Sequence, residues 1–171
     1  MRRRCSMKAV SIRTALRGKR KITASMTYED FRIACPRLAA FDKGAVTVGR
    51  FAAQTPWENH PDGDELLYIL AGTLEVILQV NRDRIRVPVR SGSIFIVPRG
   101  TWHRQIPRPI ATVLTALPTT HGPISWTDDP PLSARNVLGR RTRRRTGARV
   151  AAQQHVRPDR GLAFARRGRS T

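Results

Sequence analysis

The sequence predicts an all-β domain, an antiparallel sandwich or barrel, and three observations carry that expectation. Between Ala45 and Leu117, short runs rich in β-branched and aromatic residues recur at eight-to-twelve-residue spacing. Gly, Pro, Asn and Asp clusters separate these runs. No helix of useful length is evident in this region.

The elements follow in order. Thr27 to Phe41 mixes helix-like and strand-like features around Pro36 and stays unassigned. Ala45 to Ala52 reads as a strand, and Leu66 to Leu70 as a second. Ala71-Gly72 reads as a tight turn into a third strand, Thr73 to Val80, where Leu74, Val76, Leu78 and Val80 alternate with period two. After the turn Asn81 to Arg84, Ile85, Val87 and Val89 alternate with Arg86, Pro88 and Arg90, the pattern of a half-exposed edge strand. Ser91-Gly92 turns the chain again. Ser93 to Val97, His103 to Ile106 and Ala111 to Leu117 complete the set.

Charge divides the 171-residue chain in three. Its formal net charge is +20, which at first sight suits a nucleic-acid binder. From Met26 to Asp129, however, eleven Lys and Arg face eleven acids, so the middle is neutral. Residues 1–25 contribute +9 and residues 130–171 contribute +11, which accounts for the whole excess. The expected organisation is a basic leader at 1–25, disordered or preceding a later start at Met7 or Met26, a β-domain at 26–130, and a disordered Arg-rich tail at 131–171. Nucleic acid is not the expected partner, because the charge lies outside the domain. The leader has no apolar h-region, and no stretch approaches the ~20 apolar residues of a membrane-spanning helix. Cys5 and Cys35 have no metal-binding spacing, and the default setting is reducing and cytoplasmic.

Two stretches carry chemistry. The first is Gly92-Ser-Ile-Phe-Ile-Val-Pro98-Arg-Gly100-Thr-Trp-His103, a buried-type strand stopped by Pro98 and Gly100 with a histidine immediately after the turn. The second is Glu58-Asn-His60-Pro-Asp-Gly-Asp-Glu65, closed by Gly72 after a strand. Together they resemble the two motifs of the cupins. Gly92, Pro98, Gly100 and His103 fill the second motif, whose usual asparagine position holds Pro107. His60, Glu65 and Gly72 fill the first, whose first-histidine position holds Glu58. The resemblance covers roughly 45–117.

The resemblance implies a double-stranded β-helix, or jelly-roll barrel, with metal ligands pointing inward. His60, Glu65 and His103 are the ligands it implies, with Glu58 as a hard oxygen donor in place of a histidine. Two imidazoles and two carboxylates suit Fe, Mn, Zn or Ni, with identity open. Tyr68 and Trp102 are candidate pocket residues, while Arg50 and Arg104 lie beside the motifs and could meet a substrate carboxylate. Asp62 and Asp64 read as solvated turn residues, and His121 and His155 as non-ligands. No serine sits in a nucleophile turn, and no phosphate loop is present. The expected function is a metal-dependent cupin acting on a small organic molecule, oxygenase- or isomerase-like. The alternative is a non-catalytic cupin that binds a small ligand without tightly held metal. The resemblance also implies a homodimer, by pairing of edge strands or packing of sheets, and the edge strand near Ile85 to Val89 suits the first.

Overall fold

The computed structural model describes residues 8–118, 122–127 and 129–130. All of them belong to the unit Met1–Gly139. The expected tail at 131–171, with His155, lies outside the described residues, as do residues 1–7 and His121.

Two short helices precede eight strands. They are α1 (Ile12–Ala15) and α2 (Tyr28–Ala34), then β1 (Arg37–Phe41), β2 (Gly44–Phe51), β3 (Trp57–Glu58), β4 (Glu65–Val80), β5 (Asp83–Arg90), β6 (Ile94–Val97), β7 (Trp102–Pro118) and β8 (Ile124–Ser125). Every ladder between these strands is antiparallel. The two long strands, β4 and β7, run beside each other through both halves of the sheet. In one half the order is β1-β2-β7-β4-β6, and in the other β8-β3-β7-β4-β5. Two five-stranded layers sharing two strands form the jelly-roll barrel.

Ala71-Gly72 is therefore not a turn, and the strands expected on either side of it are one strand, β4. The same holds for His103–Ile106 and Ala111–Leu117, both parts of β7. Neighbouring β4 and β7 satisfy each other's backbone groups across the bend, so neither strand needs to end there. The ladder instead absorbs the bend in register shifts between Ile69 and Ala71 and between Gly72 and Leu74. Gly72 sits at φ +79°. A Cβ there would strike the Ile110 carbonyl oxygen, so only glycine allows the close strand approach.

Leu67, Ile69, Leu74, Val76 and Val113 are fully buried between the layers. The segment before β1 packs onto this core. Ile22 bridges to Phe51, and Ile22, Ala34 and Cys35 pack with the barrel core. Gly49 makes room for them, since a Cβ there would lie 2.8 Å from Ile22 Cδ1 and 3.2 Å from Cys35 Sγ. Leu16 is buried as well, and Arg50 donates to its carbonyl oxygen at 3.3 Å. The packed body thus starts well before residue 26. Leu16 and Ile22 lie inside the basic leader expected at 1–25, and burying each is worth about 2 kcal/mol, which offsets the local basic charge. The unassigned region resolves into α2, with a capping box between Thr27 and Asp30, followed by β1.

A second, smaller cluster lies on the outer side of the β3-β7-β4 layer. It holds Trp57, Ile77 and Trp102, with Ile106 against it. Arg104 and Arg84 stack over the Trp57 ring at 4.5 and 5.6 Å. No helix among the described residues is long and apolar enough to cross a membrane.

Gly72→Ala is expected to lower stability by about 2 kcal/mol or more, through positive φ and the clash with β7. Urea denaturation measures it. A loss below 0.5 kcal/mol, on the order of a neutral surface change, contradicts the account of the bend.

Candidate metal centre

Four elements bring the candidate ligands together. His103 is the second residue of β7, held between Glu58 of β3 on one side and Leu78 of β4 on the other. Glu65 opens β4 and pairs with Val97, the last residue of β6. His60 lies just after β3. Its loop is tied to the Pro98–Gly100 turn by two bonds: Gly100 N–H donates to the His60 carbonyl at 2.9 Å, and the Asn59 amide donates to the Gly100 carbonyl at 2.9 Å. Gly100, at φ +71°, makes the turn that allows this. Asp64 accepts from the Arg99 backbone N–H at 2.8 Å, joining the start of β4 to the same turn. Asp64 is therefore a structural clasp rather than a bare solvated residue.

The side chains converge in the interior. Glu65 Oε2 is 2.8 Å from His103 Nε2 and 3.6 Å from His60 Nε2. His60 Nε2 is 4.0 Å from Glu58 Oε2. Donor atoms of Glu58, His60 and His103 all lie within 4.8 Å of one another. His103 is fully buried and Glu65 nearly so, while the Glu58 side chain keeps 23% of its surface exposed.

Despite these short separations the buried atoms do not satisfy one another. His60 Nδ1 and Nε2, His103 Nε2 and Glu65 Oε2 have no hydrogen-bond partner. The 2.8 Å approach of Glu65 to His103 is an ion pair only when the imidazole is protonated. His103 Nδ1 lies 3.2 Å from the Thr101 carbonyl. A proton on Nδ1 donated there leaves the Nε2 lone pair directed at the cluster. Leaving four buried polar atoms unpaired is costly, at about 1–3 kcal/mol each. Ligand atoms about 2.1 Å from a shared ion stand roughly 3–4 Å from one another, close to the 2.8, 3.6 and 4.0 Å separations of Glu65, His103, His60 and Glu58. The donor set fits a divalent cation.

Charge within the cluster is strongly coupled. Burial pushes the Glu58 carboxyl up, and the Glu65 charge adds to that. For Glu65, burial also works upward, but His103 and His60 outweigh it and hold the group well below the ordinary carboxylate range. For His103, burial works downward, and Glu65 followed by Glu58 overcomes it, so the imidazole is raised.

Tyr68 and Trp102 do not belong to this interior, which corrects their reading as pocket residues. Side chains alternate along a strand. Trp102 precedes inward-facing His103 and therefore joins Trp57 outside; Tyr68 sits between buried Leu67 and Ile69 and faces outward. Arg104, next after His103, also points outward and donates to the Thr127 carbonyl at 3.2 Å. The same alternation identifies an inward residue that the motif reading passed over. Gln105, two residues after His103, is buried, and its Oε1 has no partner. Cys35 is the other omission. Its thiol is pushed up to about 11, by burial first, with the Glu58 and Glu65 charges adding. Only tertiary packing brings it near these carboxylates; its sequence spacing carries no such signal.

The chain thus forms an antiparallel jelly-roll barrel with Glu and His side chains facing its interior. Residues 46–106 match the family model described as the cupin domain, and this barrel is a cupin domain. Among curated proteins, an uncharacterized protein of Bacillus subtilis (strain 168), YdbB, is 30% identical over 59 residues, covering 34% of this chain. The chain matches about half the length of that relative, 50%. Among solved structures, a cupin-2 domain containing protein from Shewanella frigidimarina is 17% identical, with TM-score 0.43, covering 55% of this chain and 94% of its own. A Neisseria meningitidis protein is 13% identical, with TM-score 0.49, covering 66% and 100%. An oxalate oxidase in complex with the substrate analogue glycolate is 22% identical, with TM-score 0.42, covering 50% and 46%.

The metal-free protein has a defined pH signature. Glu65, lowered, contributes stability that is present above its unfolded value near ~4.3 and lost as pH falls through its folded value. His103, raised, contributes stability that is present below ~6.5 and lost as pH rises through its folded value. The pair therefore contributes fully between about pH 4.3 and 6.5. Urea denaturation of metal-stripped wild type and Glu65→Gln should show their stability difference peaking in that window. A difference independent of pH contradicts the coupling.

Proposed function

We propose that this domain holds one divalent cation on His60, Glu65 and His103, with Glu58 as a further oxygen donor, and acts on a small organic molecule in an oxygenase- or isomerase-like reaction. The observation that carries the reading is the set of buried donor atoms on His60, His103 and Glu65 that converge without hydrogen-bond partners. Fe, Mn, Zn and Ni all suit the mixed imidazole and carboxylate set. Such an ion supplies Lewis acidity and open positions for a bound oxygen. The chain's part is to hold the His103 lone pair inward through the Thr101 carbonyl, and to exclude bulk water with the apolar walls around Leu67, Val76 and Val97.

A second reading is a ligand-binding cupin without tightly held metal. The close approach of Glu65 to both histidines supports it, because an imidazolium there neutralises the carboxylate with no ion present.

Metal content by mass spectrometry separates the two. The first reading expects about one equivalent in the wild type after metal-replete expression. His60→Ala and His103→Ala remove ligands, so each should weaken affinity by more than the roughly 10–100-fold that loss of a ligand's hydrogen-bond partner costs. Sub-stoichiometric metal in the wild type removes the first reading and leaves the second.

A homodimer remains the proposed assembly, on a different surface from the expected edge strand. β5 carries Pro88, which has no N–H to offer the strand of a second copy. The outer face of the β2-β7-β4-β6 layer is apolar instead. Val46, Ala116, Leu66 and Ile96 form one row across it, and Val48, Leu114, Tyr68 and Ile94 the next. Ile94 and Ile96 are exposed. An uncharged face of this kind is complementary to itself about a two-fold axis. Ile94→Glu should shift sedimentation from dimer to monomer. A wild type that sediments as a monomer at 100-fold above the working concentration ends the idea. A reducing, cytoplasmic setting is retained with this reading, and Cys35 is a free thiol.

A further inference from the structure

We infer that the small molecule taken by this site carries no net negative charge. The inference rests on the metal reading above and deepens it. Two carboxylates, Glu58 and Glu65, stand with two imidazoles around the proposed ion. A divalent cation bound by that set is neutralised, because both histidines bind as uncharged imidazoles. The three-histidine, one-glutamate set implied by the family pattern would leave one positive charge for an incoming anion. Glu58 removes it.

The surrounding wall offers no replacement cation among the described residues. Arg50 bonds the Leu16 carbonyl, Arg104 turns outward over Trp57, and Arg84 pairs with Asp129 on the same outer side. Arg86 and Arg108 both pair with Glu75, and Arg99 is exposed. What the interior does present is uncharged: the Thr47 and Thr115 hydroxyls, 2.6 Å apart, the Gln105 amide and the Cys35 thiol. A carboxylate or phosphate entering this low-dielectric space would meet an already neutralised ion and no further cation among the described residues to compensate its charge. A compound with carbonyl, hydroxyl or amide groups meets partners it can bond. The class is therefore a neutral polar molecule.

Cobalt-loaded protein tests this with two probes of the metal, azide as the anion and imidazole as the neutral ligand. Cobalt is first counted by mass spectrometry, and each probe is then followed through the visible cobalt absorption. Glu58→Gln removes one negative charge and keeps the shape. It should tighten azide by about tenfold or more, the scale of one nearby unit charge, and leave imidazole within about threefold. Glu58→His should act in the same direction and guards against misfolding of the first variant. Equal azide affinity in wild type and variants, with full cobalt in each, overturns the inference while the metal reading stands. If neither variant holds cobalt, wild-type azide binding decides: a Kd below about 10 mM overturns it, and a weaker one supports it. Less than half an equivalent of cobalt in the wild type removes the metal reading, and this inference with it.

Discussion

The structure depends on one constraint: β7 pairs with β4 through both of its halves and with a second strand on its other side. That second strand is β3 at His103 and β2 from Ala111 to Pro118. A central strand with both edges hydrogen-bonded cannot slip by one residue without sending every side chain to the opposite face. His103 is thereby committed to the interior and Trp102 and Arg104 to the exterior. The same ladder sets Glu58 opposite His103 and runs β4 back to Glu65. The site is a consequence of register.

The loops then complete what the strands begin. Asn59 and His60 bond to Gly100, and Asp64 bonds to Arg99, so three segments meet at one turn. The outer cover is equally specific. Trp57, one residue from Glu58, is fully buried beneath Arg84 and Arg104, with β8 alongside. A two-residue strand would be marginal alone. Its buried tryptophan anchors it, and Glu58 is presented inward as a result.

The fold was largely legible from the residues. Period-two runs such as Leu74–Val80 and the Pro98-Gly100-His103 spacing marked the strands and the ligand-bearing turn, because alternation and turn chemistry are local properties. The dipeptide Ala71-Gly72 misled for the same reason. Gly-containing pairs mark turns locally, yet here the neighbouring strand keeps the chain extended. Leu16 and Ile22 lie in a basic stretch whose composition suggested disorder, and only the apolar surface of Phe51 and its neighbours overrides that. The capping box of Thr27 and Asp30 was a readable signal for α2.

By itself, the sequence determined the barrel class, the concentration of the excess positive charge in residues 1–25 and 130–171, and the identity of the four candidate donors. These follow from spacing, alternation and composition. Tertiary structure alone decided that Glu58 faces the two histidines and Glu65, that Tyr68, Trp102 and Arg104 face away, and that Cys35 and Gln105 border the interior. Such facts depend on which strands pair and in which register, and those choices join residues that lie far apart along the chain.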